Sequence, residues 1–345
     1  MKKLIMGISF IALLVIGLVA CSEKEDASST QSEEDDSSGI SDDEVEEEQT
    51  GTDSGRTSEE IVTVESFGEV LLDGNYKQIY QQTSQAFQTN VTFEQFENLA
   101  SEFNQDVGSF ELVSEMPLLG MMEYQWVSDT GDKGIRSYWA EDETIEGLQL
   151  MPISSYPESD AEYTKNTYRM PINEEWFTFW GGTNELINYH YAVESQRYAY
   201  DLLIFEEDNS FNGEATDNDS YYAFGKDVVA PLEGTVVSVE NNIADNTPTV
   251  DTNAEEPLGN HVIIEHENGE YSVLAHFKQG SVVVSKGEEV KAGQLLGAAG
   301  NSGNSSEAHI HFHVADHVKW EEARSIRIKF ENGAEPRRGE ITSGF

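Results

Sequence analysis

The chain is short of positive charge, of thiols and, over its first half, of histidine. Twenty Lys and Arg stand against 65 Asp and Glu, a formal net charge of −45 at pH 7. That balance argues against a nucleic-acid partner, because binding a polyphosphate begins with basic side chains. The single cysteine, Cys21, excludes an internal disulfide framework. His190 is the first of eight histidines, and the other seven fall between His261 and His317, so imidazole chemistry is confined to the second half. Hydrophobic residues make up 38% of 345, which suits two modest domains better than one uniform globule.

The N-terminus reads Met1-Lys2-Lys3, an apolar run from Leu4 to Val19, then Leu18-Val19-Ala20-Cys21. A basic start, a short apolar core and small residues before a boundary form an export pattern, and the run is short for a membrane span. It resembles the bacterial lipoprotein signal, in which the cysteine of a Leu-x-Ala/Gly-Cys box is diacylated. The resemblance implies a signal over residues 1–21, lipid on Cys21, and a protein anchored on the outer face of the cell membrane. Residues 22–56, rich in Ser, Asp, Glu, Thr and Gly with the runs Glu33–Asp36 and Glu46–Glu48, read as a disordered acidic linker extended by charge repulsion.

From residue 57 the spacing turns helical. Ile61, Val64, Phe67, Val70 and Leu71 recur at three and four residues, as do Phe93, Phe96, Leu99 and Phe103. A short helix is expected over 75–88, and strands over 110–113, 121–127 and near 148–152. This α+β domain, 57–153, resembles cystatin-like or NTF2-like domains in its order of helices before a curved sheet, and it carries no catalytic constellation. A polar linker spans 154–175. Residues 176–330 contain short β-rich runs at 235–239, 261–266, 271–276 and 309–314, which predict an antiparallel all-β domain, followed by a tail over 331–345. The polar stretch 241–257 reads as a long surface loop.

The sharpest local signal is His309-Ile310-His311-Phe312-His313, after the turn Gly300-Asn301-Ser302-Gly303-Asn304-Ser305-Ser306. Residues two apart on a strand share a face, so three imidazoles align, an arrangement suited to a metal. Together with Tyr271–Phe277, Val284–Gly297 and the Ala-x-x-x-Gly-x-Val strand over Ala230–Val236, these segments resemble the M23 metallopeptidases of the lysostaphin/LytM type. The resemblance implies a Zn²⁺-dependent endopeptidase cutting peptidoglycan stem peptides or cross-bridges. It puts catalytic roles on His276 and His309 and a zinc ligand at His311. The family's remaining ligands come as His-x-x-x-Asp. Asp201 fits the aspartate, but Arg197 stands in the histidine position and has no lone pair to donate. His190 is the only upstream histidine, and the segment Gln196–Asp201 resembles the Gln-x-Tyr-Ala-x-Asp of some subfamilies, a resemblance that implies His190 and Asp201 as the ligands. His313 stands where the family often has Glu, and is either a residue backing the site or an ordinary strand residue. His261, His266 and His317 are expected in the core or on the surface.

Arg197 also leaves open a degenerate, non-catalytic M23-like module that binds cell wall or activates another hydrolase. A lipoyl- or biotinyl-type carrier shares the hairpin pattern of 284–297, but no acceptor lysine stands in a Met-Lys-Met or Asp-Lys-Ala turn.

Overall fold

The computed structural model describes residues 61–344, and those from Val62 onward form one compact unit. The expected signal, Cys21 and the linker 22–56 lie outside the described residues. Among the described residues, no helix is long and apolar enough to cross a membrane.

Capping chemistry sets the first helices. α1 (Val64–Leu72) starts at Thr63, whose hydroxyl accepts from the Ser66 N–H while the Ser66 side chain accepts from the Thr63 N–H. α4 (Phe93–Phe103) starts the same way from Thr92 and Gln95. The stretch expected as one short helix is two, α2 (Tyr76–Gln82) and α3 (Gln85–Asn90). The break falls where Thr83 and Ser84 are extended and the Ser84 hydroxyl accepts from the Phe87 N–H.

A four-stranded antiparallel meander follows in chain order: β1 (Phe110–Leu118), β2 (Met121–Ser128), β3 (Lys133–Trp139) and β4 (Ile145–Pro152). β3 is absent from the expected strands because its alternation does not separate core from water. Ile135 and Trp139 pack with the helices, where Phe67 stacks on Trp126 at 4.8 Å, while Arg136 on the other face donates to the Leu186 carbonyl. β3 therefore meets protein on both faces.

After the one-turn helix α5 (Pro157–Asp160), the chain is antiparallel β. The strands are β5 (Glu175–Trp180), β6 (Tyr200–Leu203), β7 (Asp227–Val229), β8 (Gly234–Glu240), β9 (Asn260–Glu265), β10 (Tyr271–Phe277), β11 (Glu289–Val290), β12 (Leu295–Ala298), β13 (Ile310–Ala315), β14 (Ser325–Ile326) and β15 (Ile341–Ser343). Nine form one sheet in the order β11-β8-β9-β10-β13-β6-β5-β15, with β14 also on β13, and β12 pairs β7 separately. Its apolar face, with Leu202, Ile264, Leu274, Ile310, Phe312 and Val314, makes the main core. Residues 154–175 lie along this sheet: the Thr164 and Tyr168 N–H groups donate to the carbonyls of Arg327 and Lys329. In 331–345, β15 pairs β5, and Arg338 reaches the meander to meet the buried Glu123 at 2.7 Å.

Candidate metal centre

The site lies where β13 meets β6. Ile310, Phe312 and Val314 enter the core, so His311 and His313 occupy the opposite face. β6 pairs with β13 so that Asp201 stands opposite His311. The Asp201 carboxylate lies between two imidazoles, with Oδ1 2.9 Å from His311 Nδ1 and Oδ2 3.0 Å from His190 Nε2. One nitrogen from each histidine and one oxygen of Asp201 all fall within 4.8 Å of one another, and the three residues are buried.

His190 arrives from a 3₁₀ turn, Tyr189–Ala192, and the buried Asn188 builds that turn. Its side-chain oxygen accepts from the His190 N–H, and its amide donates to the carbonyls of Gly182, Arg197 and Ala199. His190 Nδ1 lies 2.9 Å from Gln196 Oε1. As an acceptor, that oxygen places the proton on Nδ1 and leaves Nε2 bare toward Asp201. Arg197 stands apart from the cluster. Its Nε donates to the Tyr191 carbonyl and its guanidinium stacks 3.5 Å over the Tyr156 ring, clamping the turn that presents His190.

His276 and His309 flank the cluster. His276 has φ 70 at a bulge in β10 between Ala275 and Phe277, a backbone conformation that costs energy in any residue but glycine and here turns its ring into the site. Its Nδ1–H donates to the Ser302 carbonyl at 2.8 Å. His309 Nδ1–H donates to the Glu307 carbonyl at 2.9 Å, and its Nε2 lies 3.8 Å from Asp201 Oδ1. A carbonyl only accepts, so both rings carry their proton on Nδ1 and keep a bare Nε2. The two ring centres are 4.7 Å apart.

Charge agrees with this placement. Burial alone would raise the Asp201 carboxyl, but the His190, His309 and His311 imidazoles packed around it hold it well below the usual carboxylate range. Burial, with the His309 and His311 rings adding to it, pushes His276 well below the ordinary imidazole range, and burial lowers His311 as well. A neutral His311 beside an ionised Asp201 is the pair of protonation states a cation requires of its ligands. Two imidazole nitrogens and a carboxylate oxygen are a donor set that suits zinc.

Turn 300–306 touches both flanking histidines, His276 through the Ser302 carbonyl and His309 through the Ser305 hydroxyl, and is itself strapped down by 241–257. Asn246 donates through its backbone to the Asn301 carbonyl and through its side chain to the Gly303 carbonyl, and the Thr249 N–H donates to the Ser306 carbonyl. The Ser302 hydroxyl donates to the Phe277 carbonyl and accepts from the Asn260 N–H. Sequence reasoning missed Ser302, Gln196 and Asn188, whose roles come from contacts across turns. Tyr198, on the same segment as Asp201, is buried and bonded through its hydroxyl to Asp160. His261 and His266 lie off the cluster, bonded to Ser238 and Ser272, and His317 is exposed. Cys21 lies outside the described residues.

Geometry thus defines a buried two-histidine, one-aspartate cluster able to hold a metal ion, in an antiparallel β domain. Residues 218–323 match the sequence model of Peptidase family M23, and this part of the chain is an M23-family domain. His190 and Asp201 precede the matched residues. Among solved structures, the antimicrobial peptidase lysostaphin from Staphylococcus simulans is 18% identical over 47% of this chain and 53% of its own, at a TM-score of 0.28. The deep-sea M23 metalloprotease pseudoalterin is 15% identical over 53% and 97%, at 0.30. A chain of the SpoIIQ–SpoIIIAH pore-forming complex is 21% identical over 47% and 89%, at 0.27. Likenesses this loose say nothing about activity. No curated protein matches the chain.

Proposed function

We propose that this chain is a zinc-dependent endopeptidase that hydrolyses peptide bonds of peptidoglycan, in stem peptides or cross-bridges. The observation that carries the reading is the convergence of His190 Nε2, Asp201 and His311 Nδ1 beside two histidines whose Nε2 atoms are bare. Zinc, when bound, supplies a Lewis acid that acidifies water and polarises a peptide carbonyl. His190, Asp201 and His311 hold it. The bare Nε2 of His276 or His309 takes up the proton of the attacking water; the N–H so formed hydrogen-bonds the developing oxyanion and then passes the proton to the leaving amine. The Asp201 carboxylate balances positive charge on whichever imidazole carries the proton.

Family membership of 218–323 supports a peptidase acting on cell wall. The Leu18–Cys21 box supports export and a lipid anchor on Cys21 facing that wall, and residues 57–153 are read as a cystatin- or NTF2-like accessory module.

The test is metal content by mass spectrometry on the full chain, wild type beside His190→Ala and His311→Ala, followed by assay of new amino termini released from purified peptidoglycan. One zinc per chain, lost in both variants, with amino termini released only by the wild type, is the expected result. A wild type that stays metal-free in excess zinc, or is loaded yet releases nothing from any common cross-link type, overturns it in favour of a non-catalytic wall-binding or activating module.

A further inference from the structure

His313 is the histidine of this face that the reading above leaves without a task. It is fully buried, and its Nδ1 lies 2.8 Å from His311 Nε2. Its own Nε2 is buried and meets no hydrogen-bond partner. Between two neutral imidazoles a hydrogen bond needs one proton, on one nitrogen of the pair. When His311 Nε2 donates it, His311 Nδ1 is a bare lone pair facing Asp201 and His190, and the proton of His313 falls on Nε2, where nothing accepts it. An apolar side chain would fill the same place without leaving a polar atom unpaired, so packing alone does not account for a histidine here.

We propose that His313 is a positioning residue for the metal centre, accepting from His311 Nε2 and thereby holding His311 in the tautomer that presents Nδ1 to the metal. Gln196 does the same for His190 from the other side, accepting at Nδ1 so that Nε2 is presented. The centre therefore has each histidine ligand backed by an acceptor on its far nitrogen, the arrangement through which outer partners orient ligands and raise their basicity. Other strand side chains without an acceptor at this depth would let His311 turn its proton toward Asp201 Oδ1, 2.9 Å away, and occupy the very lone pair the metal needs.

This inference rests on the ligand set proposed above, and its test separates the two. Zinc affinity of the full chain is measured at pH 7 by competition with a chromophoric chelator, in wild type, His313→Phe, His313→Leu and His313→Asn, with the thermal midpoint of each metal-free protein recorded. Asn keeps an acceptor oxygen near the place of Nδ1, whereas Phe and Leu do not. Expected is a 10–100-fold weaker zinc affinity in Phe and Leu, the range typical of losing such a partner, with Asn restoring affinity to about threefold of wild type. Metal-free midpoints should not follow that order. Should Phe fail to fold, Leu carries the comparison. Wild-type affinity in Phe or Leu, or an Asn variant as weak as they are, overturns the role of His313 while leaving the metal centre intact. A wild type that binds no zinc overturns both.

Discussion

At the scale of single residues, the proposed centre would separate groups that hold metal from groups that handle protons. His276 and His309 each spend Nδ1 on a backbone carbonyl, of Ser302 and Glu307, and face the site with Nε2. Replacing either by Ala should leave one zinc per chain and lower kcat/KM by about 10²–10⁴, the usual contribution of a positioned acid or base. Metal analysis beside initial rates on one peptide substrate decides it, since loss of zinc in these variants would make them ligands. The His-x-His pair was legible in the sequence because strand alternation is local. The meaning of Arg197 was not, because its guanidinium answers to Tyr156, 41 positions upstream by sequence numbering.

At the scale of elements, turn 300–306 decides where the two flanking histidines point. Gly300 is obligatory there: a Cβ would stand 2.2 Å from the Lys278 backbone nitrogen. Gly300→Ala should therefore move the turn, cost about 1–3 kcal/mol as overpacking does, and depress activity while zinc is retained, because His190, Asp201 and His311 are anchored elsewhere. A thermal melt and a metal assay check both halves, and an unchanged rate would show that the turn does not position His276. The turn was readable from its Gly, Asn and Ser content. Its strap was not, since 241–257 has the composition of any exposed loop and its value lies in pairing with the turn across some 50 residues.

For the whole molecule, the last residues bind the two lobes together. Arg338 and Glu123 are both nearly fully buried, 2.7 Å apart, with Arg136 3.2 Å from the other carboxylate oxygen. Removing one member of a buried pair leaves charge without compensation, so Arg338→Ala should cost about 3–5 kcal/mol and lower the thermal midpoint by on the order of 10 °C. Arg324→Ala, which breaks a solvent-exposed pair with Asp316, should cost under about 1 kcal/mol; equal losses in the two variants would contradict the argument. Stability should also respond to acid through His261 and His266, which burial pushes below the ordinary imidazole range. Above about pH 6.5 these groups are neutral in both folded and unfolded states and contribute no slope. Below it the unfolded chain binds the extra protons, so they destabilise the fold until the folded histidines protonate too. Melting the metal-free protein and His266→Gln between pH 7 and 5 should give a shallower acid loss in the variant, whatever the background from easing carboxylate repulsion; parallel curves would refute it.

The sequence by itself determined what depends on near neighbours. Capping residues and apolar spacing placed α1 and α4, alternation gave the β-rich second half, and the His309–His311 spacing put two imidazoles on one face of a strand. Tertiary structure alone decided what depends on chain segments meeting: that β6 pairs with β13 so Asp201 faces His311, that a 3₁₀ turn built on Asn188 brings His190 to the same carboxylate, and that β3 packs on the helices with one face while Arg136 on the other reaches the Leu186 carbonyl. The reason is range. A strand's period or a helix cap is set within four residues, whereas a ligand drawn from 110 positions away, as Asp201 is from His311, is fixed only when the sheet has closed around it.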